Sequence, residues 1–107
     1  MVPEVKYYLV GGYIKEGTTR KDVDIIAVMP TRDFDLTFGF THESLQQAYK
    51  ERIRSERLKT YLMANKIAGW VLGSIMGKKV DFKWAPPSML YKPYVELHFE
   101  LDLTMYL

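Results

Sequence analysis

Residues 22 to 29, DVDIIAVM, set two carboxylates at the mouth of an unbroken apolar run that Pro30 stops. A run of that kind reads as a buried strand, with the proline where a central strand cannot continue. Val5 to Val10 is a second apolar and aromatic run, closed by Gly11-Gly12, and it reads the same way. Residues 13 to 21 form the polar loop between them. Lys78 to Trp84, KKVDFKW, supplies a further strand with Asp81 early in it. The arrangement of these three strands limits everything else the chain can do.

Thr41 is a plausible N-cap, with Glu43 in the first turn, for helical sequence running to about Met76. One straight helix of that length would span roughly 50 Å, nearly twice a small domain's diameter. It is therefore expected to bend or break. Gly69, Gly73 and Gly77 are candidate close contacts or helix ends, and Gly77 before Lys78-Lys79 reads as a C-terminal stop. Ahead of this stretch, a turn at PTRD leads into FDLTFGF, residues 34 to 40. There Phe34, Leu36, Phe38 and Phe40 alternate with smaller or polar residues, which predicts a third, half-buried strand pairing as a hairpin. APPSMLYKP is a proline-punctuated connector. It is followed by YVELHFELDL, with Val95, Leu97, Phe99, Leu101 and Leu103 on one side and Glu96, His98, Glu100 and Asp102 on the other. That alternation predicts a peripheral strand over 94 to 103 with one buried face.

The length of 107 residues fits one domain, with a core over about 5 to 84 and the connector and extra strand over 85 to 107. A function needing a second wall must borrow it. No apolar run approaches the length of a membrane span, and Met1 to Lys6 lacks the regions of a signal peptide, so the expected address is cytoplasmic. The absence of cysteine excludes disulfides, thiolate ligands and cysteine nucleophiles, leaving oxygen or histidine for any metal. A single Asn, Asn65, among many charged residues is in keeping with a thermophilic source. The net charge of +2 does not by itself argue for a nucleic-acid protein. Its distribution is uneven: residues 50 to 59 carry five basic and two acidic side chains, and residues 94 to 107 carry three acidic and no Lys or Arg. The basic segment could meet phosphate, or it could be a solvated helix face with Glu51 and Glu56 paired to neighbours.

Asp22 and Asp24, two apart on a strand, share one face with Cα atoms roughly 6.6 to 6.8 Å apart. Two carboxylates held side by side repel unless cations occupy the gap. Two Mg²⁺ ions roughly 3.5 to 4 Å apart suit such a pair and support in-line displacement at phosphorus. Mg²⁺ takes oxygen ligands and borrows some from substrate phosphates, so a short carboxylate set suffices. Gly11-Gly12 can turn the backbone sharply and bring N–H groups to a phosphate. If the first two strands are antiparallel, Gly12 lies near Asp22, and Lys15, Thr18, Thr19, Arg20 and Lys21 lie where a triphosphate needs neutralising. If Asp81 joins the same site, its strand runs parallel to that of Asp22 and Asp24, and the helical stretch is the crossover such a pair requires. The plainer readings stay open: a turn at the glycines, a turn or cap at Asp-x-Asp, and Asp81 paired with Lys79 or Lys83.

Gly-Gly, nine residues, Asp-Val-Asp with an apolar run, and a later lone Asp after Lys-Val resemble the nucleotidyltransferase superfamily of DNA polymerase beta. The likeness is to its minimal nucleotidyltransferases and covers about residues 5 to 84. The resemblance implies an α+β fold, a mixed sheet of about four to five strands with helices packed on one side. It implies transfer of a nucleoside monophosphate, AMP from ATP in the commonest case, to an acceptor hydroxyl. Asp22, Asp24 and Asp81 would be the metal ligands and catalytic residues of a two-Mg²⁺ site, while Gly11 and Gly12 would hold the triphosphate. It also implies dimerisation or a small helical HEPN-like partner, since the chain is too short to wall in an acceptor. Gly12 and Lys21 depart from the family, many members having serine at both positions, and the strands expected at 34 to 40 and 94 to 103 look like additions. The other expectation is a nucleotidyltransferase fold that serves only as a binding or antitoxin-like subunit.

His42 and His98 are too isolated to form a metal cluster together, and His42 suits a helix start. Trp70, Trp84 and the tyrosines are expected in the core or an interface, with Tyr13 beside the glycine pair able to stack on a base. Ser-His-Asp and G-x-S-x-G patterns are absent.

Overall fold

The computed structural model describes residues 4–11, 22–52 and 55–107. Strand β1 is Lys6–Val10, β2 is Asp22–Val28, β3 is Lys79–Ala85 and β4 is Tyr94–Leu97. They form one mixed sheet in the order β3-β2-β1-β4. β1 runs antiparallel to β2, with Val10 opposite Asp24. β2 and β3 run parallel, with Asp24 opposite Asp81. The fold is α+β, and the crossover between the parallel strands is helical.

The segment expected to be a third strand is a helix. Thr31–Phe38 forms α1, with Phe34 and Phe38 buried and Leu36 74% exposed. Residues four apart share a helix face, so a Phe34/Phe38 pair satisfies a helical period as well as an alternating one. Pro30 precedes the helix, its carbonyl accepting the Phe34 N–H, and Gly39 closes it in the left-handed region at φ 74°. A residue with a Cβ is strained in that conformation.

Helix α2 is His42–Lys50 and α3 is Glu56–Met76. Thr41 caps α2 through its side chain, which accepts the Ser44 N–H while the Ser44 hydroxyl accepts the Thr41 N–H. The chain then turns, with Arg52 at φ 54°, and Ser55 caps α3 by accepting the Leu58 N–H. The expected break thus falls near residue 52. Gly77 ends α3 in the left-handed region, as expected.

All three helices lie on one face of the sheet. Phe34 and Phe38 of α1, Leu45 and Ala48 of α2, and Leu58, Tyr61, Ala68 and Leu72 of α3 share a core with Val23, Ile25, Ala27, Val80, Phe82 and Trp84. The opposite face carries a smaller cluster of Val10, Ile26 and Ala85, against which Met89 and Leu90 of the connector pack. The last expected strand is shortened to four residues. Tyr7 already faces Leu97 across β1, one residue from the start of that strand, so the chain beyond Leu97 has almost no partner backbone left. Phe99, Leu101 and Leu103 instead join the helix-side core, and Leu103–Tyr106 forms a 3₁₀ turn. Val95, expected to be buried, is 51% exposed because β4 is the sheet edge.

The other edge, β3, is closed by α3. The Ala85 carbonyl faces β2, where it accepts the Met29 N–H. Alternation along the strand therefore turns the Trp84 N–H and C=O outward. Asn65 Oδ1 accepts that N–H at 2.9 Å and the Tyr61 hydroxyl donates to that C=O at 2.6 Å. Burial holds the Tyr61 phenol well above the ordinary tyrosine range, so it stays a donor. Among the described residues, no helix is long and apolar enough to cross a membrane.

Candidate active site

On β2, Val23, Ile25 and Ala27 face the helices, so alternation turns Asp22 and Asp24 to the other face. On β3, Val80, Phe82 and Trp84 face the helices, which turns Lys79, Asp81 and Lys83 the same way as the β2 aspartates. Parallel register sets Asp24 beside Asp81 and Asp22 beside Lys79. The three expected carboxylates thus occupy one face of two adjacent strands. Asp22 and Asp24 are half-buried and Asp81 is exposed.

Gly11 borders this face where β1 ends. Its φ is 74°, and a Cβ built there would lie 3.3 Å from Asp24 Oδ2 and 3.6 Å from the Tyr91 hydroxyl. A side chain at this position would be strained and would crowd the carboxylate. Glycine keeps the approach to Asp24 open. Gly12, Lys15, Thr18, Thr19, Arg20 and Lys21, expected around a triphosphate, and Tyr13, lie outside the described residues.

Tyr91 is a site residue that the sequence pattern does not single out. It sits in the connector, whose Met89 and Leu90 dock on the sheet and carry the next residue over Asp24. Desolvation chiefly, and the Asp24 charge beside it, raise the Tyr91 phenol above its ordinary range. It remains a neutral donor at physiological pH. Val10, Asp24, Asp81, Lys83 and Tyr91 line a cleft of about 180 Å³.

The donor chemistry of this face is that of an oxygen-seeking divalent cation, because its possible ligands are carboxylates. The strand pairing fits a two-carboxylate ligand set at Asp24 and Asp81. Among the described residues, no three His, Asp or Glu side chains gather into a group that could hold a metal ion, so Asp22 does not close a triad with the other two. The histidines stand elsewhere: His42 Nδ1 lies 2.9 Å from the Ser88 hydroxyl, and His98 Nε2 lies 3.0 Å from Glu96.

Of the basic segment at 50 to 59, Lys59 and Arg57 are tied locally. Lys59 pairs with Glu56 at 3.4 Å, and Arg57 donates to the Gly39 carbonyl with its guanidinium over the Phe40 ring. Trp84 is fully buried, whereas Trp70 is 64% exposed. The sequence matches no protein-family model, and no curated protein or solved structure is significantly similar to it.

Proposed function

We propose that this protein is a Mg²⁺-dependent nucleotidyltransferase that moves a nucleoside monophosphate, AMP from ATP, onto an acceptor hydroxyl. The observation that carries the reading is the juxtaposition of Asp24 and Asp81 across a parallel ladder, on the face that Asp22 shares and Gly11 leaves open. Carboxylates brought side by side on adjoining strands are the oxygen donor set that Mg²⁺ takes, with the remaining ligands borrowed from substrate phosphates. Bound there, Mg²⁺ would neutralise the triphosphate and polarise the α-phosphorus. Asp24 and Asp81 would hold it, with Asp22 on the same face two residues earlier along β2. Asp81, the most exposed of the three, would take the proton of an incoming hydroxyl. Gly11 lets a phosphate reach Asp24 without a side chain in the way, and the neutral Tyr91 hydroxyl offers a hydrogen bond at the same carboxylate. The acceptor needs a wall this chain does not supply, so the reading includes a second copy or a small helical partner of the HEPN kind, in the cytoplasm.

The lack of a gathered three-ligand group favours a second reading, a sheet that retains the carboxylates but acts as a binding subunit. Calorimetric titration with ATP, with and without Mg²⁺, on the wild type and on Asp22→Ala/Asp24→Ala, separates the two without knowledge of the acceptor. Mg²⁺-dependent binding that the double variant loses supports the enzyme. A folded wild type that binds no ATP refutes it and leaves the binding subunit.

A further inference from the structure

We propose that the groove between α3 and β3 binds single-stranded nucleic acid, with Trp70 as a stacking platform and Lys66, Lys79 and Lys83 as phosphate contacts. The groove is about 790 Å³ in volume and runs along the β3 edge, bordered by α3 on one side and by the strand on the other, where Lys79 and Lys83 border it from the carboxylate face of the sheet. Its apolar wall includes Tyr49, Leu62 and Trp70, the last largely in water, and its charged residues are Lys66, Lys78, Lys79, Lys83 and Asp81. Four lysines and one aspartate give the groove a formal charge of +3, against +2 for the whole chain, so everything outside it sums to −1. The lining of the groove is thus net positive, as an anionic ligand requires.

The form of the groove selects among anionic ligands. An acidic peptide gains much of its affinity by adding a strand to an open sheet edge. That route is closed at β3: Asn65 and Tyr61 occupy the outward groups of Trp84, and α3 presses on the strand so tightly that a Cβ at Gly69 would lie 2.9 Å from the Val80 carbonyl oxygen. What remains is an exposed indole flanked by ammonium groups. A flexible strand of bases and phosphates uses both, through stacking and through point-charge contacts. A rigid duplex has its bases already stacked on one another and cannot use the ring. The groove cations are all lysine, which favours binding without sequence preference.

The inference stands apart from nucleotidyl transfer, because it uses no carboxylate as a ligand. It is tested with labelled oligo(dT) and oligo(U) by fluorescence anisotropy at about 50 and about 200 mM salt. Intrinsic fluorescence is a parallel readout: of the two tryptophans Trp84 is fully buried, so quenching by the oligonucleotide reports on Trp70. The expected result is salt-sensitive binding with quenching, weakened roughly tenfold in Trp70→Ala with the salt slope unchanged. Lys66→Ala/Lys79→Ala/Lys83→Ala should flatten the slope of log affinity against log salt by about two. These residues other than Trp70 are surface lysines, and circular dichroism confirms the fold of each variant. Asp22→Ala/Asp24→Ala should bind oligonucleotide as the wild type does, whatever it does with ATP. Absence of binding at low salt, equal affinity in the Trp70 and lysine variants, loss only on Lys50→Ala/Arg52→Ala, equal binding of duplex DNA, or equal competition by polyglutamate would each overturn the proposal.

Discussion

Asp24 and Asp81 are like charges that the fold holds opposite each other, and a double-mutant cycle of Asp24→Asn and Asp81→Asn, which cancels what each carboxylate gains from neighbours such as Lys79 and Lys83, should show a repulsive coupling in the metal-free protein. Adjacent strands lie about 4.8 Å apart, so same-face carboxylates at register partners sit within about 6 Å. Two unit charges at that distance repel by roughly 0.7 kcal/mol at the dielectric of water and roughly 3 kcal/mol at an effective value of 20. Asp81 is exposed and Asp24 only half-buried, so solvent screening places the effect near the lower figure. The expected coupling is about 0.5 to 1 kcal/mol at low salt, shrinking as ionic strength rises past the point where the Debye length falls below the separation. Urea denaturation in a chelator, at low and high salt, measures it. Added Mg²⁺ should then separate the wild type from Asp81→Asn. A cation present at ten times its dissociation constant stabilises the wild type by ~1.4 kcal/mol, and the Asn variant should gain little or nothing. A coupling of zero, or of the opposite sign, at low salt would refute the charge argument. Equal stabilisation of both proteins by Mg²⁺ would refute the placement of the cation at Asp81.

Gly69→Ala reverses an ordinary sign: in an open helix it gains about 1 kcal/mol, but here the new Cβ would meet the Val80 carbonyl oxygen at 2.9 Å. With overpacking at about 1 to 3 kcal/mol the net should be a loss of up to about 2 kcal/mol in urea midpoint analysis, and a stabilised variant would contradict the close contact. Asn65→Leu strands the buried Trp84 N–H and should cost about 1 to 3 kcal/mol by the same assay; a neutral result would mean that the edge is not sealed as described. The Tyr61 phenol keeps its proton in the folded chain above the pH near 10.0 at which the unfolded chain releases it. Unfolding therefore releases a proton there, and stability falls as pH rises beyond about 10. Tyr61→Phe, though less stable at pH 8 through the lost hydrogen bond to Trp84, should show a shallower alkaline decline across pH 9 to 11; parallel curves would assign the decline to other groups.

The three central strands are legible because each is an apolar run bounded by a turn residue or a charge. The parallel placement of β2 and β3 is legible because a long helical stretch separates them. The early positions of Asp24 and Asp81 in their strands carry through to the observed register. Thr41, the break in the helical stretch and the Gly77 stop follow from local capping and length. Residues 34 to 40 mislead because Phe34, Leu36, Phe38 and Phe40 alternate over a window too short to exclude a helix. What decides the matter is Leu36, which the helix leaves in water and a strand would have buried. The final strand stops at Leu97 for a reason held by another segment: β1 runs out of partner backbone, which the residues at 98 to 103 do not encode. Tyr91 escapes notice because a connector has no period to read, and its place over Asp24 is set by Met89 and Leu90 docking on the far side of the sheet.

Closing the β3 edge and opening the groove beside it are consequences of the same residues. A sheet with β3 outermost leaves unpaired backbone groups exposed to association with other chains. Helix α3 covers them, but a helix can approach a strand that closely only where it has no side chains. Gly69 and Gly73 are those places, and both form part of the floor of the groove. Being four residues apart, they lie on one face of the helix, so the larger side chains at Lys66 and Trp70 stand beside the gap rather than in it. The surface that protects the edge is thereby a channel with a bare floor, an indole on one wall and lysines along the strand. Asp81 borders this channel as well as the carboxylate cleft. A ligand held along α3 and a cation held between Asp24 and Asp81 would therefore meet at the same side chain. Occupation of either should alter affinity for the other by one common factor, since coupling between binding sites is reciprocal.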